Sequence, residues 1–324
     1  MRSDRIDPHQ VLAAELGPAY LEYRKQWDSA RLFKVRPSFP LHVDYEMKFR
    51  CNLRCPMCLM SLPSERRKNY GQAGRELSAS QVIELIKSGA QDGQKAMGFG
   101  GLWEPLLEPD LPEIVGQARQ AGLVDVMFNT NGLLLTEKTG KALIEAGLTR
   151  LMISLDAASA EVYDKVRVGS DYKTVVANIE NFMSLRRSMG RALPLVRLSF
   201  CRTAVNEHEL EAFVEKWRGV VDFFSIQAYG RYDSAAPPDF PEKREAVPSG
   251  RCAQPEKRLL VRHNGQVLPC CDASGLPLAV GNIENQSLED IWRGAALQRL
   301  RESLAGNDLT AACRTCQSKF QPSS

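Results

Sequence analysis

The sequence predicts an α/β fold: a parallel sheet with helices between its strands, followed by a small C-terminal α+β unit. Three observations predict it. Between residues 41 and 228, six short apolar runs alternate with helical patterns, and strand–helix alternation of this kind builds parallel sheets. The helical patterns after the second and third runs each close on a glycine, Gly122 and Gly147, as a helix giving way to a strand should. Composition then shifts over 229–250, YGRYDSAAPPDFPEKREAVPSG, and five of the nine cysteines lie beyond that shift. The expected organisation is a helical extension over 1–40, a sheet domain over 41–228, a linker over 229–250 and a C-terminal unit over 251–324.

Each element has its own signal. Leu12, Leu16, Tyr20 and Trp27 fall at near-helical spacing, interrupted at Gly17-Pro18, and Pro37 and Pro40 end that pattern. Leu41–Glu46 alternates like a strand and runs into a cysteine-bearing loop. Residues 61–78 read as a polar loop, after which Ser78 or Ser80 caps a helix through Lys87. Strands are then expected at Ala96–Phe99, Val124–Asn129, Arg150–Leu155, Leu195–Phe200 and Val221–Gln227. Between them helices are expected at Leu111–Ala121, Thr136–Ala146, from Ser159, over Tyr172–Met189 and over Glu207–Arg218. Past the linker, Leu259–Leu268 looks like a hairpin and Leu288–Leu304 like a helix. From alternation alone, a doubly wound open sheet remains an alternative to a barrel-like one.

Composition narrows the function. At 324 residues, 44% hydrophobic and 25% charged, the chain suits a globular protein with a sizeable core. A net charge of +3 without a Lys/Arg-rich run gives no reason to expect nucleic acid. Residues 1–10, MRSDRIDPHQ, exclude a signal peptide, and no run reaches the roughly 18 apolar residues of a membrane span. Nine cysteines without an export signal fit a reducing cytoplasm, where metal ligation is the better expectation than disulfides.

The chemistry starts at Cys51-Asn-Leu-Arg-Cys55-Pro-Met-Cys58. Thiolates are soft ligands that select iron–sulfur clusters, zinc or copper(I). A closed site normally takes four ligands, and no fourth Cys or His stands close by, His42 being the nearest. Three thiolates on a cluster leave one iron open to a small molecule. A zinc knuckle or a chance group of core cysteines is the plain alternative.

This C-x3-C-x2-C run resembles the signature of the radical S-adenosylmethionine (SAM) enzymes. The resemblance implies a partial (β/α)6 barrel holding a [4Fe–4S] cluster, with SAM chelated to its open iron. It also implies reductive cleavage to a 5′-deoxyadenosyl radical and an external electron donor such as flavodoxin or ferredoxin. Met57 stands where relatives usually have an aromatic residue, and its backbone is expected against the adenine.

In parallel βα architectures functional groups sit at the C-terminal ends of strands. The second strand is followed by Gly98-Phe-Gly100-Gly101-Leu-Trp-Glu104-Pro105, which resembles the family's Gly-Gly-Glu-Pro motif with Leu102 and Trp103 interposed. Gly100 and Gly101 would let backbone approach SAM, and Glu104 could accept from its ammonium. The third ends in Asn129-Thr-Asn131-Gly132, amides and a hydroxyl suited to polar ligands, and the fourth in Ser154-Leu-Asp156, with Arg167 thirteen positions past Ser154; the resemblance implies Asn131, Ser154, Asp156 and Arg167 as SAM contacts. In relatives, serine and arginine at such places hold the SAM ribose or carboxylate, a task suited to a guanidinium. Taken singly, Asn131-Gly132 is a turn, Asp156 a helix cap and Arg167 a surface charge. Cys201 follows the fifth strand, and alternation puts it with Ser199 on the face turned to the barrel mouth. There its thiol is either a hydrogen-atom donor or a small buried hydrophobe.

The C-terminal unit offers a second ligand set: Cys252, Cys270, Cys313 and Cys316, with Cys271 as an alternative to Cys270. Four thiolates fit zinc or a closed cluster. The C-x12-G-x4-C spacing around Gly265, with Gly281-Asn-Ile and Leu288-Glu-Asp-Ile-Trp292, resembles the SPASM/twitch extension of radical SAM enzymes, implying one auxiliary [4Fe–4S] cluster as in the twitch form. Similarity in cluster count to the 2-deoxy-scyllo-inosamine dehydrogenase family points to dehydrogenation or epimerisation of a sugar- or aminocyclitol-like small molecule. Peptide modification is the second expectation, weakened by the lack of an N-terminal segment long enough for a leader-binding domain. From another class, an iron–sulfur electron carrier or a zinc-stabilised binding protein stays open.

Overall fold

A computed structural model describes residues 7–68, 70–71, 75–229, 252–270 and 273–318. The expected linker over 229–250, apart from Tyr229, and Cys271 lie outside these residues. Helix α1, Pro8–Arg31, comes first, with Asp7 accepting from the His9 N–H as its cap. It breaks where expected: Gly17 holds φ 67°, a left-handed conformation that suits glycine, and Pro18 follows inside the helix.

The sheet strands are β1 (His42–Tyr45), β2 (Ala96–Phe99), β3 (Asp125–Thr130), β4 (Arg150–Ser154), β5 (Leu195–Arg202) and β6 (Phe223–Ala228). They pair in parallel in simple sequence order, β6-β5-β4-β3-β2-β1. A doubly wound sheet would reverse direction partway. Here every crossover steps the same way, so right-handed connections put all the helices on one face and leave the other as the inside of a partial barrel. The helices are α2 (Ser64–Arg67), α3 (Ala79–Asp92), α4 (Leu111–Gln120), α5 (Glu137–Glu145), α6 (Ala160–Val166), α7 (Tyr172–Ser188) and α8 (Leu210–Trp217). Ser78 and Gln81 form a capping box on α3, and Thr136, Ser159 and Asp171 cap α5, α6 and α7.

Alternation sorts the strands by face. On β5, Val196, Leu198 and Phe200 are fully buried under the helices with Val126, Phe128, Leu151 and Ile153. Burial of such side chains stabilises the fold by about 1.5–3 kcal/mol each. The opposite face carries polar residues, and its lower end is closed by α1. Tyr20, Tyr23 and Leu12 of α1 pack there on Leu41, Ala96 and Leu195.

From residue 252 on, the chain rejoins the same sheet. β7 (Arg258–Val261) pairs in parallel with β1, and β8 (Gln266–Leu268) and β9 (Gly281–Asn282) follow antiparallel. The expected hairpin is therefore β7–β8, turning at Gly265 with φ 82°. The expected single helix at 288–304 is two, α9 (Leu288–Arg293) and α10 (Ala295–Ala305). Gly294 separates them with ψ 151°, so the chain leaves the helical path for one residue. A last helix, α11 (Ala311–Ser318), carries Cys313 and Cys316. Among the described residues no helix is long and apolar enough to cross a membrane.

Candidate active site

The loop after β1 carries the three thiols and is shaped by its own backbone. The Cys58 N–H and the Ser61 hydroxyl both donate to the Cys55 carbonyl, at 2.9 and 2.7 Å. N–H groups also point at two sulfurs, from Leu53 to Cys51 Sγ at 3.4 Å and from Met60 to Cys58 Sγ at 3.5 Å. Three neighbouring segments pin the loop from outside. Glu104 N–H donates to the Arg50 carbonyl at 3.0 Å, Asn131 Nδ2 to Asn52 Oδ1 at 2.8 Å, and Arg54 N–H to the Val168 carbonyl at 2.8 Å.

The strand ends supply the charged groups. Glu104 is buried, with Oε1 accepting from Thr130 Oγ1 at 2.6 Å and Oε2 from the Asn131 N–H at 2.8 Å. Burial raises its pKa, partly offset by these donors. Asp156 is fully buried at φ 62° and has both oxygens engaged. Oδ1 accepts from the Cys201 N–H at 2.7 Å, and Oδ2 pairs with Arg167. Arg167 in turn brings Nη1 to 3.7 Å from Cys55 Sγ. Burial opposes its charge, but Asp156 and the Cys55 sulfur outweigh burial and hold it firmly protonated. For the thiols, burial pushes Cys58 up to about 11 and Cys201 up to about 12, and raises Cys51 as well.

These groups meet in one cavity of about 400 Å³ at the C-terminal ends of the strands. Sites for small ligands typically enclose about 300–1,000 Å³. Cys51, Cys55, Met57, Cys58, Gly101, Glu104, Asn131, Ser154, Asp156, Arg167 and Cys201 all line it. Gly100 does not: its carbonyl instead accepts from Trp103 Nε1 at 2.9 Å. Gly101, at φ 90°, needs to be glycine because a Cβ would meet Glu46 Oε2 at 2.2 Å.

Sequence reasoning missed one part of this site. Glu46 lines the cavity from the end of β1 and accepts from the Leu102 N–H at 2.8 Å. Its other oxygen takes Arg262 Nε at 3.0 Å and meets His263 Nδ1 at 2.8 Å, all within the buried interior. A buried carboxylate with two such partners clamps the C-terminal unit onto the barrel. Leu260, Leu268 and Leu276 from that unit also line the cavity, as do Gln227 and Tyr229 at the end of β6. The only sequence signal was an acidic residue just past an alternating strand, which does not reveal a partner over two hundred positions away.

The donor set fits an iron–sulfur cluster. Its three sulfurs stand on one loop, N–H groups face two of them, and a guanidinium flanks the third; these donors partly offset the burial that raises Cys51 and Cys58, and would serve bound thiolates. They do not converge on a point: among the described residues no three Cys, His, Asp or Glu groups gather as a single metal ion requires.

Comparison with known proteins agrees. The family model described as "Radical SAM superfamily" matches residues 45–197, and the one described as "Iron-sulfur cluster-binding domain", SPASM, matches 252–317. The chain carries a radical SAM domain and a C-terminal SPASM domain. Such proteins hold a [4Fe–4S] cluster with SAM, and auxiliary clusters in the SPASM region. Among curated proteins, the probable GTP 3′,8-cyclase of Methanococcus maripaludis strain C5 is 30% identical over 171 residues, 53% of each chain. The GTP 3′,8-cyclase of Limosilactobacillus fermentum is 41% identical over 138 residues, 42% of this chain and 40% of that one. The chain thus spans about half or less of the length of these curated relatives.

Solved structures share the fold at low identity. Streptococcus suis SuiB bound to S-adenosylmethionine superposes with TM-score 0.65 at 14% identity, over 87% of this chain and 72% of SuiB. BtrN in complex with AdoMet and 2-DOIA gives 0.51 at 18% identity, over 88% and 98%. In this radical SAM protein the matched SPASM segment contains Cys252, Cys270, Cys313 and Cys316, all half-buried. Cys252 and Cys313 pack against the main core, and α11 packs on the short 3-10 turn at Ala273–Leu278.

Proposed function

We propose that this radical SAM enzyme abstracts hydrogen from a polar, sugar- or aminocyclitol-like small molecule and dehydrogenates it, with epimerisation as the second outcome. The observation that carries the reading is the single cavity that joins the cysteine loop to the strand-end residues and to Cys201. Cys51, Cys55 and Cys58 would hold the catalytic cluster. Backbone at Met57 and Gly101 would take the adenine and amino-acid parts of SAM, with Glu104 accepting from the ammonium, whereas Gly100, expected beside them, stands outside the cavity. Asn131 and Ser154 would hold the ribose or carboxylate, and Asp156 would act by orienting Arg167 toward the carboxylate. When bound, the clusters and SAM supply the one-electron reduction, the carbon-centred radical that takes a hydrogen atom, and an electron acceptor. The likeness to GTP 3′,8-cyclases spans about half of the chain and supports radical SAM chemistry, without carrying over their substrate. The reading expects a soluble reductant as partner and a reducing compartment.

Cys252, Cys270, Cys313 and Cys316 are proposed to hold one auxiliary cluster in a domain starting near residue 251. Anaerobically reconstituted protein should then carry about eight irons, two [4Fe–4S] units. Stoichiometric zinc with half that iron would instead assign the C-terminal site to zinc.

Cys201 separates the two reactions. An oxidation must lose a proton and a second electron from the substrate radical. An epimerisation must return a hydrogen atom to the opposite face, and a thiol is a competent donor. Cys201 lines the cavity but is half-buried against the core, and burial keeps it protonated. For a dehydrogenase, Cys201→Ala should leave product formation intact and cost about 1 kcal/mol of packing. Solvent deuterium at an inverted carbon, lost in Cys201→Ala, would assign epimerisation.

A further inference from the structure

On the inner face of the barrel, among the described residues, Arg197 is a cation with no acid within salt-bridge distance. Asn129, Met152 and Arg197 are aligned partners in one row across β3, β4 and β5. Arg197 reaches over Met152 and donates from Nη2 to Asn129 Oδ1 at 3.1 Å. Its Nε is buried and has no partner. Nearby arginines of this interior are matched: Arg150 pairs with Asp125, Arg258 stands 3.7 Å from Asp44, Arg167 pairs with Asp156 and Arg262 with Glu46. Among the described residues, no carboxylate lies within salt-bridge distance of Arg197. The only charged group that shifts it is Arg150, and with burial this lowers its pKa to about 10, so it remains a cation at neutral pH.

One row higher, Ser154, Ser199 and Ser225 stand in register across β4, β5 and β6, and the row above adds Cys201 and Gln227. Strand alternation gives Arg197, Ser199 and Cys201 one face. Cys201, Ser154, Gln227 and Asn129 all line the cavity, which makes that face the inner one. Ser199 Oγ is buried without a hydrogen-bond partner. Arg197 and Ser199 do not themselves line the cavity, but they share its face with residues that do, and buried donors such as Arg197 Nε and Ser199 Oγ normally have partners.

We infer that Arg197, with Ser199 and Asn129, is a subsite for an oxyanion on the substrate, a carboxylate or a phosphate, carried by a hydroxylated small molecule. This rests on the reading of the cavity as the substrate site, and it narrows that reading from sugar- or aminocyclitol-like molecules to acidic sugar-like ones. The serine row and Gln227 add donors and acceptors for hydroxyl groups between Arg197 and the cavity residues Ser154 and Cys201. A cationic substrate would instead meet an uncompensated guanidinium in a low-dielectric site.

The test is equilibrium binding to the reconstituted, SAM-loaded protein, with four probes: glucuronate, glucose 6-phosphate, glucose and glucosamine. Wild type should bind at least one of the two anions more than about tenfold tighter than glucose or glucosamine, and Arg197→Gln should remove that preference. Arg197→Lys tells the two anions apart and guards against a folding defect. A retained positive charge still binds phosphate, whereas a carboxylate held in the two-pronged guanidinium geometry is lost. Glucosamine binding as well as the anions, no anion preference in wild type, or the same preference in Arg197→Gln would overturn the assignment. Formation of 5′-deoxyadenosine by wild type is scored separately. Its absence would remove the proposed chemistry while leaving the anion result standing.

Discussion

Replacing Cys51, Cys55 and Cys58 together with alanine takes SAM cleavage to background and the iron content from about eight to about four per chain. The magnitude follows from ligand count. A cluster that has only three protein ligands cannot survive losing all of them, whereas the C-terminal cysteines are untouched. The folded scaffold should tolerate the change, because the loop is pinned by main chain and by Asn52, Arg54 and Arg50 rather than by the thiols. Circular dichroism unchanged from wild type, with half the iron and no 5′-deoxyadenosine, is the expected set. Persistent cleavage in the verified triple variant would contradict the assignment of these cysteines.

Asp156→Ala is expected to be the most destabilising single change at the site, by about 3–5 kcal/mol. It strands the Arg167 guanidinium in the interior and leaves the Cys201 N–H without its acceptor. Removing one member of a buried ion pair costs far more than the pair itself contributes. Asp156→Asn should cost less, since an amide oxygen can still accept from the Cys201 N–H. Adding Arg167→Met to Asp156→Ala should recover part of the loss, which a double-mutant cycle in urea would measure. A loss below about 1 kcal/mol for Asp156→Ala would mean that Arg167 finds another partner.

The barrel strands and their order of helices were legible because alternation and period are local signals. Ala96–Phe99 reads directly from its apolar run and its glycines. The break at Gly17-Pro18 was legible for the same reason. So were the residues at successive strand ends, since parallel sheets place chemistry there. Less visible was everything that depends on distant pairing. The return of the chain as β7 beside β1 has no local signature, and neither has the Glu46–Arg262–His263 clamp that follows from it. Asp156 was expected against SAM, but geometry turns both its oxygens to Arg167 and Cys201. Asn131 was expected as a ligand contact, and it also holds Asn52 of the cysteine loop. The split at Gly294 and the helix carrying Cys313 and Cys316 depend on how the chain packs against the core, which spacing alone does not encode.

The most direct measurement is 5′-deoxyadenosine formation by the anaerobically reconstituted wild-type protein supplied with SAM and a low-potential reductant. If Cys51, Cys55, Cys58 and the strand-end cavity form a SAM-cleaving site, the nucleoside accumulates only when both are present. Its rate then rises when a hydroxylated acid that fits the Arg197 subsite is added. No 5′-deoxyadenosine above a protein-free control, from protein shown to carry its full iron, would contradict the account.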